Sequence, residues 1–256
     1  MPESESDLRA RLPAAVYDLA IRLGARVTPD QSGVLLTQKG FIKRSLDREA
    51  WMPFSATQVI SSKDCSFTWD ARAGRLGLLS IQDALTCGRG RLSEKAMGFL
   101  PLMNAKPSAV LTRAETMRYL AEIAFVPDAI LQNGSLRWKQ TSCDTVLVAA
   151  GTGDNEAEVS LWIGLDGRIS GFYAADRSRS ATPPFLPTRW SGRFMDYRLH
   201  EGRWLPFAAE LAWIFNGELL TYFQATIERW NETLDEARCG AIADFFPADL
   251  PVRVLR

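Results

Sequence analysis

Three dipeptides, Asp166-Gly167, Glu201-Gly202 and Asn216-Gly217, each stand between two runs rich in β-branched and aromatic residues, and they constrain this chain more than any other feature. Each pair has the composition of a tight hairpin turn, so the runs that it joins are antiparallel neighbours. "FMDYRLHEGRWLPFAAELAWIFNGELLTYFQATIERW" therefore reads as three strands of a meander, and "EVSLWIGLDGRISGFYAA" as a further hairpin. The same period of two begins earlier, at Val34: "VLLTQKGFIKRSL", "WMPFSATQVISS", "CSFTWDARA" and "LGLLSIQDALT" are strand-length and separated by turn residues. "GRGRLSEKAMGFLPLM" extends the series, with a Glu and Ala content that also suits a helix.

Two segments break this period. In "SESDLRARLPAAVYDLAIRLGA" the residues Leu8, Leu12, Val16, Leu19 and Leu23 fall at steps of four and three, which predicts one amphipathic helix ending at Gly24. A second helix is expected from Arg113 to about Phe125, with Pro127 opening a short turn and Asn133-Gly134 closing the unit. The sum is an α+β fold: a long, curved antiparallel sheet of about ten strands, half-barrel-like, with an N-terminal helix and a central helical insertion. One domain over 1–256 accommodates it, with the N-terminal helix at 1–24, the sheet at 33–230, the insertion at 112–131 and a C-terminal extension at 231–256. "DRSRSATPPFLPTRW" is expected to be a surface loop able to cover a pocket mouth.

The pattern of apolar residues adds a cavity to this outline. In "WLPFAAELAW" one parity holds Leu205, Phe207, Ala209, Leu211 and Trp213, while the other still holds Trp204, Pro206, Ala208 and Ala212. A sheet with two partly apolar faces needs both covered, one by helices and the other by curling around a core or a ligand. Eight tryptophans fit an aromatic-lined cavity. Its expected wall is Phe54, Phe67, Trp69, Trp138, Trp190 and Trp213, with Gln58, Asp83 and Arg118 selecting polar groups.

Composition narrows the chemistry. Lys plus Arg equals Asp plus Glu at 30 each, so no global field attracts nucleic acid, which is not expected as a partner. The start "MPESESDLRARL" lacks the pattern of a signal peptide, and no apolar run is long enough to span a bilayer. A cytoplasmic location without stable membrane insertion is the expectation. Cys65, Cys87, Cys143 and Cys239 are far apart and read as reduced thiols, with no metal site and no cofactor. His200, the one histidine, sits in the turn "LHEGR" and makes a catalytic triad hard to build. Gly88-x-Gly90 lacks the strand–loop–helix context of a phosphate cradle.

Carboxylates are then the remaining route to acid–base chemistry: Asp70, Asp83, Glu94, Glu115, Glu122 and Glu210. Asp83 alternates in phase with Leu79, Ile81 and Leu85, which points it at an apolar face where it needs a partner. Glu115, Arg118 and Glu122 stand at i, i+3 and i+7 on one helical stripe. Three readings are open: a buried clamp in which Arg118 forks onto Asp83, a solvated charge ladder, and an active site with Asp83, Glu115 and Glu122 as candidate acid or base.

Several of these segments also carry a resemblance. "WMPFSATQ" (Trp51, Phe54, Ala56, Gln58), "FTWDA" (Phe67, Trp69), Asp83 with "GRGRL", "AETMRYLAEIAFVPDAIL" (Glu115, Arg118, Tyr119, Glu122, Pro127), "LRW" (Trp138) and "EGRWLP…W…NGELLTY" run in an order that resembles an uncharacterised bacterial family of the domain-of-unknown-function kind. The resemblance spans about Leu12 to Tyr222. It implies that the clamp and the tryptophan-lined strands recur in that family, and it brings no activity. By architectural analogy the curved sheet is similar to the half-barrel of lipoprotein carriers, and a fold does not by itself imply a function. The basic, proline-containing stretch from Arg177 to Arg189 and the extension after Trp230 depart from the family pattern. The functional expectation is a soluble binding protein for an apolar or amphipathic small molecule. The alternative is a cofactor-independent isomerase, cyclase or hydrolase working in the same cavity. Whether the chain is an enzyme stays open at this point, and no protein partner is specified.

Overall fold

In the computed structural model, residues 5–46 and 49–234 are described. The sheet has thirteen strands rather than about ten: β1 (Gln31–Ile42), β2 (Met52–Ser61), β3 (Phe67–Ala73), β4 (Leu79–Thr86), β5 (Arg89–Ala96), β6 (Leu100–Asn104), β7 (Arg137–Gln140), β8 (Thr145–Ala150), β9 (Ala157–Ile163), β10 (Ile169–Ser178), β11 (Pro187–His200), β12 (Arg203–Phe215) and β13 (Glu218–Leu234). The protein is mostly β. The excess over expectation comes from short strands. "GRGRLSEKAMGFLPLM" splits at Met97-Gly98 into β5 and β6, and Arg137 and Trp138 of "LRW" open the four-residue β7.

Turn chemistry sets the register. Thr86 pairs with Arg89, His200 with Arg203, and Phe215 with Glu218, each across a two-residue turn. Both turn residues are left-handed in all three, for example Asn216 at φ 51° and Gly217 at φ 87°. That geometry matches the twist of the flanking strands and accounts for glycine at the second position.

The strand order is β6-β5-β4-β3-β2-β1-β13-β12-β11-β10-β9-β8-β7, and every neighbouring pair is antiparallel. Two meanders therefore meet where the first strand pairs with the last, and the two outer strands, β6 and β7, are consecutive in sequence. The segment between them has to carry the chain from one edge of the curled sheet to the other. It does so as helices: α3 (Ala109–Ala121), a 3₁₀ turn (Glu122–Phe125) and α4 (Ala129–Gln132). The helical unit thus crosses the concavity of a half-barrel, packing on β4 and β5 at one side and on β8, β9 and β10 at the other. Ser108 accepts a hydrogen bond from the Leu111 amide and starts α3 ahead of the expected Thr112.

The N-terminal helix is two helices, α1 (Glu5–Arg11) and α2 (Ala14–Leu23). Pro13 breaks the expected single one, because it carries no amide hydrogen and disfavours helical backbone at Leu12. Gly24 caps α2 in the left-handed conformation, as read from the sequence. Leu12, Val16, Leu19 and Leu23 are buried in the same core as the inward side chains of the sheet.

Helices and core both occupy the inner face. The outer face alternates towards solvent, as in β3, where Phe67, Trp69, Ala71 and Ala73 are buried and the residues between them are not. Outer-face Trp204 is only half-buried, and the Arg168 guanidinium covers its ring at 3.6 Å. A buried ion pair fastens the helical unit to the sheet. Arg203 on β12 donates from Nε and Nη2 to Asp128 at 2.7–3.1 Å and from Nη1 to Glu232 on β13 at 2.5 Å. Trp230 Nε1 donates to the Phe125 carbonyl at 2.8 Å.

Two further expectations change, the surface loop and the reduced thiols. The stretch from Arg177 to Arg189 is not all loop, because Arg177 pairs with Thr188 and Ser178 with Pro187, where a strand-initial proline needs no ladder donor. His200 is half-buried, edge-on to Phe207 and Trp230. Cys65 and Cys143 are free thiols, but Cys87 is disulfide-bonded, against the reading of reduced thiols throughout. β13 runs four residues beyond Trp230, and the rest of the expected C-terminal extension lies outside the described residues.

Candidate functional site

Between α3 and the inner face of the sheet lies a cavity of about 280 Å³. Its apolar wall comes from Trp69 on β3, Trp190 on β11, Leu211 and Trp213 on β12, and Tyr222 and Phe223 on β13. These side chains are held by one another: Trp213 stacks on Tyr222 at 5.6 Å, and Trp190 Nε1 donates to the Tyr222 hydroxyl at 3.1 Å. A second, smaller void of about 20 Å³ shares Trp190, Leu211 and Phe223 as a common wall.

The helical stripe supplies the polar side. Glu115 and Arg118 line the cavity from α3, facing Asp83 from β4. Arg118 Nη1 donates to Asp83 Oδ2 at 2.5 Å and Nε to Glu122 Oε1 at 2.9 Å. Its guanidinium also lies over the rings of Phe67 and Trp69, at 4.9 and 5.1 Å. Burial would lower the Arg118 pKa, but Glu122, Asp83 and Glu115 outweigh it and push it up. From Glu122 a chain of buried amides continues: Gln58 Nε2 donates to Glu122 Oε2 at 2.5 Å, Gln38 Nε2 to Gln58 Oε1 at 2.6 Å, and Trp69 Nε1 to Gln38 Oε1 at 3.1 Å. Every polar atom in this relay has a partner, as burial requires.

Glu115 is held differently. It is 2% exposed, and burial pushes its carboxyl well above the ordinary glutamate range, Asp83 adding to the rise while Arg177 and Arg118 oppose it. Asp83 Oδ1 is buried and lacks a donor when both carboxyls are ionised. Glu115 is within hydrogen-bonding reach of Asp83, and its raised pKa favours the protonated form that can supply such a donor.

Arg177 is the member of this cluster that the sequence did not single out. Its side chain is 11% exposed, Nε donates to the Ala114 carbonyl at 3.0 Å, and Nη2 approaches Glu115 at 3.3 and 3.5 Å. The guanidinium rests over Trp190 at 4.5 Å. The signal available was its place next to the strand pair of β10 and β11, hidden in what looked like loop.

Of the expected wall residues, Trp69, Trp190 and Trp213 line the cavity, with Arg118. Phe54 and Phe67 are buried behind it, Phe54 stacking on Phe223 at 5.0 Å. Gln58 and Glu122 belong to the relay, and Glu122 borders the smaller void. Trp138, on β7, does not line it. Among the other carboxylates, Glu94 lies on the cavity wall, while Asp70 and Glu210 bond Gln82 and Arg193 elsewhere. Among the described residues no group of three or more His, Cys, Asp or Glu side chains is placed to hold a metal ion, and no helix is long and apolar enough to cross a membrane.

A curled antiparallel sheet plugged by its own crossover helix, with an amphipathic cavity between the two, defines a half-barrel protein. The chain belongs to DUF6544, a family of unknown function, whose pattern matches residues 2–225. Among solved structures it is similar to a LolA superfamily protein from Nitrosomonas europaea, at 8% identity over 85% of this chain and 93% of that one, TM-score 0.45. It is also similar to a DUF1329 family protein from Desulfovibrio piger, at 12% identity over 90% and 96% of the two chains, TM-score 0.38. No curated protein matches the sequence.

Proposed function

We propose that this chain is a binding protein for an apolar or amphipathic small molecule, held in the cavity between α3 and the sheet. The observation that carries the reading is the pairing of an aromatic wall with a buried charged floor in one space of about 280 Å³. That volume is near the lower end of the roughly 300–1,000 Å³ of ligand pockets, so the guest is small or enters only in part. Trp69, Trp190 and Trp213 offer area with little conformational entropy to lose, and Arg118 and Asp83 are preorganised by their mutual bond. Native mass spectrometry of freshly purified protein, with extraction of whatever is released, is the direct test. Titration with an apolar fluorophore adds the affinity, expected in the range of about 1 μM with one site per chain. Protein that neither carries an adduct nor binds the fluorophore sinks the reading.

A second reading rests on one observation, the carboxyls of Glu115 and Asp83 lying within hydrogen-bonding reach of each other in the cavity. A carboxylic acid and a carboxylate in one cavity have the pairing that a cofactor-independent isomerase, cyclase or hydrolase needs for general acid and base. Glu115→Gln separates the two readings on the extracted compound: an enzyme keeps affinity and loses turnover, whereas a carrier shows no turnover to lose.

A further inference from the structure

The charges lining the cavity are unevenly paired. Lys43, Arg44, Arg118, Arg177 and Arg179 face three carboxyls, Asp83, Glu94 and Glu115, in a chain whose total charge is zero. Arg118 takes Asp83 and, from outside the cavity wall, Glu122. Arg44 takes Glu94 at 3.4 Å. Lys43 and Arg179 lie over the rings of Trp51 and Phe215, at 4.9 and 5.2 Å.

Arg177 is left with Glu115. The 3.3 and 3.5 Å approaches are longer than the roughly 2.7–2.9 Å of a charge-assisted bond. Burial and the neighbouring Asp83 both favour the neutral form of Glu115, which weakens it as a counter-charge. Nη1 of Arg177 donates to no group among the described residues. A guanidinium stays charged at any physiological pH, and one this buried beside a single, weakened counter-charge is incompletely compensated. The mouth around it, at Lys43, Arg44 and Arg179, has the same sign.

We propose that the ligand is an anionic amphiphile, a carboxylate on an apolar chain, whose headgroup is held by Arg177 with Lys43 and Arg179 at the mouth while the chain lies along Trp69, Trp190 and Trp213. This rests on the cavity reading above and names the chemistry of its guest. A guanidinium fork presents two parallel donors to a carboxylate, and the tryptophan face beneath Arg177 fixes its plane. The neutral alcohol of the same chain length has no charge to give, and a quaternary ammonium is repelled.

The test is displacement of an apolar fluorophore from the full chain by dodecanoate, 1-dodecanol and dodecyltrimethylammonium. Dodecanoate is expected to bind about tenfold or more tighter than 1-dodecanol, with the ammonium weakest. In Arg177→Gln the carboxylate advantage should shrink to about twofold or less while 1-dodecanol is unchanged, and Arg177→Lys should keep part of it. Equal binding of dodecanoate and 1-dodecanol by the unaltered protein overturns the proposal and leaves the cavity reading standing. So does an advantage that survives in Arg177→Gln. Failure of the fluorophore and all three amphiphiles to bind removes the cavity reading itself. The comparison on the unaltered protein decides the matter even where a variant does not fold.

Discussion

Arg118 Nη1 lies 2.5 Å from Asp83 Oδ2, and this contact joins the last turn of α3 to the middle of β4 across the cavity. The two side chains are 12% and 10% exposed, so the pair is far from a surface ion pair of small effect. Arg118→Met keeps much of the volume but leaves Asp83 and Glu122 without their cation. Removing one partner of a buried pair costs about 3–5 kcal/mol, and a loss of that size is expected in urea unfolding at pH 7 with an unchanged slope. A loss below about 1 kcal/mol would mean that water already solvates the cluster.

The clamp was one of three readings that the sequence left open, and only its sheet side was legible. Asp83 shares the parity of Ile81 and Leu85 and so points inward, whereas the helical stripe of Glu115, Arg118 and Glu122 suits a solvated face as well as a buried one. The hairpins were legible because their turn residues are chemically specific. Arg177 was not, because Pro183, Pro184 and Pro187 in the neighbouring segment mask the last residues of β10 as loop. Nor was the Arg203–Asp128 pair, whose members lie 75 positions apart in turns that look solvent-facing. Local patterns report which way a side chain points; they do not report which distant element it meets.

Gly90 was set aside as half of a weak phosphate signature, and its role is steric. A Cβ there would stand 2.9 Å from the Leu111 carbonyl group and the Thr112 Cα, backbone that cannot rotate away. The Gly90 amide also donates to the Thr112 hydroxyl at 3.1 Å. Gly90→Ala should therefore push the start of α3 off β5 and cost about 1–3 kcal/mol, an overpacking effect. Since Leu111, Ala114 and Glu115 line the cavity from α3, fluorophore affinity should fall as well. Alanine accepted with unchanged unfolding midpoint and affinity would contradict the close approach.

Arg203 and Asp128 are each 1% exposed and hold the helical unit to β12. Arg203→Ala is expected to destabilise by about 3–5 kcal/mol, whereas the apolar pair Arg203→Met with Asp128→Leu should recover much of that loss. A double variant no more stable than the single one would show that the amide of Arg26 and the carboxylate of Glu232, which also contact this pair, need the charges themselves.

Glu115 makes the pH dependence of this fold distinctive. It faces Asp83 from β4, Arg177 from β10, Arg118 on its own helix and Tyr222 from β13, whose phenol burial also pushes up. The folded carboxyl keeps its proton to a higher pH than the unfolded chain does. Below the ordinary glutamate range both states are protonated and the contribution to stability is whole. From that range up to the raised value the folded state binds the extra proton, so stability falls as pH rises, by at most about 1.4 kcal/mol per unit. Glu115→Gln keeps a donor for Asp83 and cannot ionise, so its stability should decline less steeply over the same interval; the other titrating groups are common to both proteins and cancel in the difference. Parallel profiles would show that Glu115 is ionised in the fold. Ligand binding should follow the same proton: as Glu115 ionises it becomes the counter-charge of Arg177, so dodecanoate affinity should fall with rising pH while 1-dodecanol affinity stays level. In Glu115→Gln the dodecanoate affinity should hold, because the carboxylate that competes for Arg177 is gone.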